Sequence, residues 1–385
     1  MKFFQLRSLF LVFFVLIFSC KDNEVKKIKV VQEQGVKLPL KHAKGFSVTS
    51  YKNYKVLEIY SPWPKADKTF KFALVDKENK DKVVLNSDDF EAVIPIPIER
   101  IVVTSTTHLP SLELLDEEQK LVGFPGNKYV SSEKIRAQID AGKVRELGKN
   151  ESINTEVLLE LHPEVVIAFG IDGNNSALET IKKANIPVIY NGDWVEGSPL
   201  AKAEWIKLFG VLFNKEVKAD SVYNTIETEY LKAKKLAEHV AKKPSVFSGA
   251  MYKDIWYMPN GTSPEAQLLV DANANYLWKN TKGVGSLALN FETVFNKAKA
   301  ANIWINPSIY SSYKDLEKSN THYTKFNAFK DKQIYTMSNT KGETGGVLYY
   351  ELGQSRPDLV LKDLIKICHP ELLKDYELFF FKTLN

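Results

Sequence analysis

The chain has 385 residues, 44% of them hydrophobic and 26% charged, with 52 Lys and Arg against 47 Asp and Glu. That is enough chain for two cores and the composition of a soluble globular protein, which excludes a largely disordered chain, a collagen and a multi-span membrane protein. A net charge of +5 is too balanced to point to nucleic acid, and two cysteines, Cys20 and Cys368, cannot build a disulfide framework.

Lys2 and Arg7 precede an unbroken apolar run from Leu9 to Phe18. A spanning helix needs about 20 apolar residues, so this shorter run predicts a secretory signal. It closes Leu16-Ile17-Phe18-Ser19-Cys20, which resembles a bacterial lipobox, where the cysteine after a small residue is lipidated. Bulky Phe18 departs from that pattern, and an ordinary signal with a chance cysteine is the alternative. The polar run Lys21-Asp22-Asn23-Glu24 suits a tether leaving a membrane, and also resembles the surface-export signal of some Gram-negative lipoproteins. The expectation is an exported protein held to the cell envelope through Cys20, with the periplasmic face favoured over the cell surface. Cys368, in Leu364-Ile365-Lys366-Ile367-Cys368, reads as the buried face of a helix.

Residues 21–40 are Lys-rich without apolar period and read as a tether. From Phe46 to Val84 short alternating segments, such as Lys55–Tyr60 and Thr69–Val75, predict a small β appendage, with Pro95 and Pro97 marking its end. From Arg100 strands and helices alternate. Strands are expected at Ile101–Val103, Leu121–Phe124, Val165–Phe169 and Ile186–Tyr190, with helices at Leu109–Leu115, Glu156–Leu161 and Ser176–Ala184. Residues 199–242 show helical spacing (Trp205, Leu208, Phe209, Leu212, Val222, Ile226, Tyr230), with Gly210 and Asn214 marking a break. The alternation resumes with strands at Ser245–Phe247, Ile303–Ile305 and Gln333–Tyr335 and helices at Ser263–Val270, Glu292–Lys299 and Asp358–Ile367. Such alternation predicts an α/β fold: two Rossmann-like lobes, each with a parallel sheet, joined by a stiff helical connector. The parts are a signal (1–19), tether and β appendage (20–97), first lobe (98–198), connector (199–243) and second lobe (244–385).

Each lobe carries a glycine, then Asn-x-Glu opening a helix, then a strand: Gly148, Asn154, Glu156 in the first, Gly285, Asn290, Glu292 in the second. Asn as a helix cap and Glu in the first turn is the structural explanation. The repetition also puts one carboxylate at an equivalent place on each lobe, where a pair could grip two basic sites of a symmetric partner.

The stretches Asn154-Thr-Glu156-Val-Leu-Leu-Glu-Leu-His-Pro163 and Asn290-Phe-Glu292-Thr-Val-Phe, with Ala203–Gly210 and Arg356–Pro370, resemble the class III periplasmic substrate-binding proteins of ABC importers. The resemblance covers roughly residues 98–370. It implies a ligand that is an iron-siderophore-type chelate or cobalamin, no intrinsic cofactor, and an ABC permease dimer whose arginines pair with Glu156 and Glu292. The other partners it leaves are the membrane, reached through the lipid anchor, and no nucleic acid. A surface accessory lipoprotein working with an outer-membrane receptor through the β appendage is the alternative.

In a two-lobed αβ protein the ligand sits between lobes at the carboxyl ends of the strands. Loops there offer His108, Tyr129 and Trp194 in the first lobe. The second offers Tyr252, Trp256, Trp278, Tyr310 and Tyr350. Aromatic rings suit planar macrocycles and catecholates, and the Arg356 fork suits an anionic ligand. For each aromatic, packing is the competing reading, and Arg356 has a rival role in pairing with Glu351 or Asp358. No two of the six histidines share an i, i+4 spacing, so a direct metal site is not expected. Gly-x-Ser-x-Gly and the Gly-x-x-x-x-Gly-Lys-Ser/Thr phosphate loop are absent from the sequence, so no enzyme is indicated.

Overall fold

Three apolar residues in a row, buried on both faces, build each central strand. Ile101, Val102 and Val103 are fully buried, as are Val165, Val166 and Ile167, which is the signature of a parallel sheet covered by helices on both sides. The computed structural model describes residues 34–283 and 285–385; the signal, Cys20 and nearly all of the tether lie outside the described residues. Gly35–Asn385 forms one unit.

In the first lobe the strands lie in the order Val188–Tyr190, Val165–Ala168, Ile101–Val103, Leu121–Phe124, Arg145–Glu146, all parallel. In the second the order is Asn275–Tyr276, Ser245–Ser248, Ile303–Ile305, Ile334–Thr336, with Lys382–Thr383 antiparallel at the edge. In each sheet the chain order reverses beside the lobe's first strand. That opens a crevice between the loops after Val103 and Ala168 in one lobe, and after Ser248 and Ile305 in the other.

The connector is three helices, Pro199–Glu204, Ile206–Leu212 and the 23-residue Glu216–Glu238. The expected break falls at Asn214, which takes a left-handed φ of 53°, while Gly210 lets the two helices close: a Cβ there would stand 2.5 Å from that of Ala219. The long helix packs on Pro357–Cys368 of the second lobe, where Lys362 reaches Glu229 at 2.8 Å and Tyr230 donates to Asp271 at 2.6 Å. Cys368 closes that last helix, buried, its thiol pushed up to about 12 by burial.

Two boundaries differ from the sequence expectation. The N-terminal strands Val36–Lys37, Phe46–Ser50, Tyr54–Tyr60 and Thr69–Asp76 gain a fifth, Ala92–Ile96, which pairs in parallel with Thr69–Asp76, so Pro95 lies inside the sheet. Nor is this sheet a separate appendage: Phe46, Phe72 and Ile94 share one hydrophobic core with Ile101, Val165 and Trp205. The tether also ends earlier than residue 40, because Val36–Lys37 already pairs with Thr49 and Ser50.

Two buried glutamates explain that early docking. Glu204 accepts the backbone amides of Lys41, His42 and Ala43 at 2.7–3.1 Å and pairs with Lys207 at 3.0 Å. Glu196 accepts those of Lys44 and Gly45 at 2.9 and 2.8 Å and the indole N–H of Trp205 at 3.0 Å. A second difference is the antiparallel sheet Ala250–Tyr252, Ile255–Pro259, Ser286–Leu289, where the sequence reading had loops. Its alternation is plain in the burial: Trp256 and Met258 point inward while Ile255 and Tyr257 are exposed.

Glu204→Ala leaves three amides and Lys207 without their acceptor. It should cost about 3 kcal/mol in urea unfolding. It should also open Lys41 and Lys44 to trypsin at urea concentrations where the lobes are still folded; wild-type cleavage at those lysines would refute the anchoring role.

Candidate ligand-binding cleft

The crevice loops are shaped by short polar contacts. Thr104 Oγ1 accepts the Phe169 amide at 2.8 Å, tying the two loops at the first-lobe switch point. Asp172 accepts the Asn174 amide at 3.0 Å, which turns the next loop back and leaves Ile171 at its tip. In the second lobe Asn306 and Ser308 take left-handed φ values of 49° and 62° and turn the chain toward Ile309. Lys253, at φ 55°, makes the hairpin beyond Tyr252.

Several of the large apolar side chains exposed to water follow the parallel strands. Tyr129, Ile171, Tyr252, Ile309 and Tyr350 are 57, 65, 67, 83 and 56% exposed. Each follows the carboxyl end of a different parallel strand, three from the second lobe and two from the first. Lys128 stands 4.9 Å from the Tyr129 ring, and Lys253 stands 5.6 Å from that of Tyr252. The arrangement offers water-exposed aromatic faces with a cation beside them, which suits a flat ligand bearing negative charge.

Of the aromatics expected at the cleft, Tyr129, Tyr252 and Tyr350 are exposed to water. Tyr310 is half-buried beyond Ile303–Ile305. Trp194 is half-buried against Phe169, ring centroids 5.8 Å apart, and its indole N–H is buried without a partner. Trp256 is instead in the core of the second lobe, donating to the Ser248 carbonyl at 2.9 Å and packed on Phe247, Trp304, Tyr323 and Phe326. The strand alternation that exposes Tyr257 turns Trp256 inward. Trp278 is also buried, with Lys297 5.0 Å from its ring. Arg356 spends its fork on Asp358, at 2.9 and 2.8 Å, beside the start of the last helix, so the rival reading describes its position. His108 is fully buried under Phe209. Neither of its nitrogens makes a well-formed hydrogen bond, and burial, only partly offset by the Ile167 carbonyl, pushes its ring down to about 3.

Glu156 and Glu292 are exposed in the first turns of Thr155–Glu160 and Phe291–Ala298. Asn154 and Asn290 cap those helices, accepting from Val157 at 3.2 Å and Thr293 at 2.8 Å. Among the described residues no three His, Cys, Asp or Glu side chains gather as a cation site.

Sequence reasoning missed a strap. Thr340–Leu352 leaves the second lobe and lies on the first. Glu351 accepts the amides of Ser131 and Ser132 at 2.6 and 2.9 Å, Ser131 Oγ donates to the Gly346 carbonyl at 3.1 Å, and Thr106 Oγ1 donates to that of Tyr350 at 3.2 Å. Gly342 and Gly346 permit the approach; a Cβ on Gly346 would stand 2.2 Å from the Tyr129 carbonyl oxygen. The seam keeps a cavity of about 350 Å³ bordered by Pro110, Glu113, Lys341 and Leu348. Burial raises the Glu351 carboxyl to about 7, the two amides opposing and Glu113 reinforcing it. The run Lys341-Gly-Glu-Thr-Gly-Gly346 was the available signal, since clustered glycines mark close backbone approach.

The family model for periplasmic binding proteins matches residues 101–340. An uncharacterized lipoprotein of Methanocaldococcus jannaschii is 27% identical over 387 residues, covering 94% of this chain and 90% of its own. Among solved structures, a periplasmic heme binding protein from Pseudomonas aeruginosa aligns with a TM-score of 0.56 at 15% identity, covering 75% of this chain and 98% of that one. A possible iron-binding (periplasmic solute-binding) protein from Staphylococcus epidermidis aligns at 0.55 and 19%, covering 71% and 99%. These likenesses share the two-lobed fold.

The burial of His108 sets a pH dependence. The unfolded chain binds a proton at its ring near the ordinary 6.5 while the folded chain resists it down to about 3, so stability from this group is lost as pH falls through that window. Glu351 runs the other way, the folded state holding its proton up to about 7 and losing stability as pH rises from 4.5. His108→Leu should therefore gain about 1 kcal/mol at pH 7 by removing unpaired buried nitrogens, and gain more at pH 5. Urea titrations at the two pH values check this; an unchanged pH dependence would count against it.

Proposed function

Since the chain belongs to the periplasmic binding protein family, we infer that it captures an iron chelate in the cleft between its lobes and delivers it to an ABC importer. The ligand class is a ferric siderophore or haem, with cobalamin the related macrocycle. The observation that carries this is the exposure of Tyr129, Tyr252 and Tyr350 after parallel-strand ends of both lobes, with Lys128 and Lys253 beside two of them. A tyrosine face stacks on a macrocycle or catecholate, and an ammonium pairs with a propionate or phenolate oxygen. A chelate brings its own donor atoms, in keeping with a cleft that presents rings and lysines. The heme-binding and possible iron-binding proteins of like fold lend support.

For docking, Glu156 and Glu292 are the candidates: one exposed carboxylate per lobe, in the same turn of an Asn-capped helix. Arginines of a permease dimer would meet them. The signal-like leader, Cys20 and the matched lipoprotein support export to the cell envelope with a lipid anchor facing the periplasm.

Soluble protein from Asp22 onward should bind haemin or one member of a ferric siderophore panel one-to-one by tryptophan quenching, with cobalamin titrated alongside. Tyr129→Ala with Tyr252→Ala should weaken binding about tenfold or more. Saturation by none of these probes would sink the chelate reading. Independently, Glu156→Arg with Glu292→Arg should abolish cellular uptake and leave ligand affinity at the wild-type value. An equal loss of affinity in the purified double variant would refute the docking assignment.

A further inference from the structure

The N-terminal sheet lies outside residues 101–340, the span of the family match, yet one of its turns reaches the cleft loops. Between strands Tyr54–Tyr60 and Thr69–Asp76 the chain turns through Ser61 and Lys65, both at positive φ (45° and 65°). The turn is closed by Ser61 Oγ donating to the Ala66 carbonyl at 3.1 Å and by the Ala66 amide donating to that of Trp63 at 3.1 Å. It holds out Pro62, buried, and Trp63, half-buried.

Trp63 sits edge-on to Tyr190, the last residue of the first lobe's edge strand, with ring centroids 4.9 Å apart at 86°. Phe70 backs it at 5.7 Å. Its indole then covers the loop after Val165–Ala168. A Cβ on Gly170 would stand 3.4 Å from Trp63 Cε3, and one on Gly173 would stand 3.3 Å from Cζ2. Pro62 does the same on the neighbouring loop, where a Cβ on Gly192 would stand 3.0 Å from its Cα. Three glycines in two cleft loops thus seat one Pro-Trp pair. The first loop displays Ile171; the second leads directly into Asp193 and Trp194, both with buried polar atoms that lack a partner. A turn with unsatisfied buried groups needs an external hold, because relaxing toward water would favour it.

We propose that Trp63 is a positioning residue of the ligand site: the N-terminal sheet, through Pro62 and Trp63, fixes the 170–173 loop and the 192–195 turn and so forms the outer wall of the first lobe's half of the cleft. The inference rests on the cleft being the binding site, as argued above. It makes the sheet part of the binding apparatus as well as of the first lobe's core.

The test uses the soluble chain from Asp22 onward as wild type, Trp63→Ala and Trp63→Phe, with amide hydrogen exchange and haemin titration. Trp63→Ala should raise exchange in segments 169–174 and 191–195, leave segment 249–258 at the wild-type rate, and weaken haemin about tenfold. Trp63→Phe, which keeps a ring against Tyr190, should restore most of both. Gly173→Val crowds the indole from the loop side and serves if Trp63→Ala does not fold; it should reproduce the exchange change. Wild-type exchange in both loops, or unchanged haemin affinity in Trp63→Ala, overturns the proposal. So does a loss that Trp63→Phe fails to restore. Wild-type protein that binds no chelate would sink the chelate reading instead, while the exchange rates would still decide whether Trp63 holds the loops.

Discussion

Carboxylates that accept consecutive backbone amides from distant parts of the chain tie this molecule together. Glu204 and Glu196 hold five amides in a row, Lys41 to Gly45. Asp363 holds three, Phe379 to Phe381, at 2.7–3.0 Å, and the Tyr376 hydroxyl at 2.7 Å. Glu351 holds Ser131 and Ser132. Successive amides pointing the same way form a small positive nest, and a carboxylate fills it with two or more hydrogen bonds. Each such site ties down an irregular segment that has no ladder of its own; Glu204, Glu351 and Asp363 do so from a helix, and Glu196 from the end of the Asp193–Val195 turn.

The device has a cost. A buried carboxylate is desolvated, and its amides only partly offset that, which is why burial raises Asp363 and brings Glu351 to about 7. The arrangement is therefore worth most where geometry is gained with it. At Lys41–Gly45 the gain is a sheet fused to the first lobe; at Phe379–Phe381 it is the closing edge strand; at Ser131–Ser132 it is a bond between lobes. The lobes are also bridged by a 23-residue helix packed along the last helix of the second lobe. The strap and the long helix thus make two separate ties between the lobes.

What the sequence made legible follows from the range of the forces. The strands Ile101–Val103 and Ile303–Ile305, the helix caps at Asn154 and Asn290, the break at Asn214 and the buried Cys368 all depend on neighbours within a turn or a strand, and each is found where its pattern predicts. The fused sheet was not legible, because it depends on pairings such as Lys41 with Glu204, 163 residues apart. The same holds for the strap, where Ser131 and Glu351 are 220 residues apart. Trp256 was misplaced for a local reason: in a short run a strand and a loop look alike, and only the alternation with exposed Ile255 and Tyr257 identifies the buried face. Arg356 was ambiguous because its partner, Asp358, and a ligand anion satisfy the same fork.

At the two candidate docking glutamates the structural explanation and the proposed function do not compete. In each lobe the asparagine is the cap and the glutamate is the second residue of the helix. The cap accounts for the asparagine. It leaves the glutamate side chain without a required role, since a surface carboxylate near a helix start is worth only about 0.3–1 kcal/mol. What the cap supplies is rigidity: with the first turn fixed by a side-chain hydrogen bond, the carboxylate two residues on projects from a defined place. A partner with two basic sites at fixed separation needs that on both lobes, and a stiff connector between them keeps the separation constant. If the docking proposal holds, the same helix start serves folding through its asparagine and recognition through its glutamate, and substitutions at the two positions separate the roles.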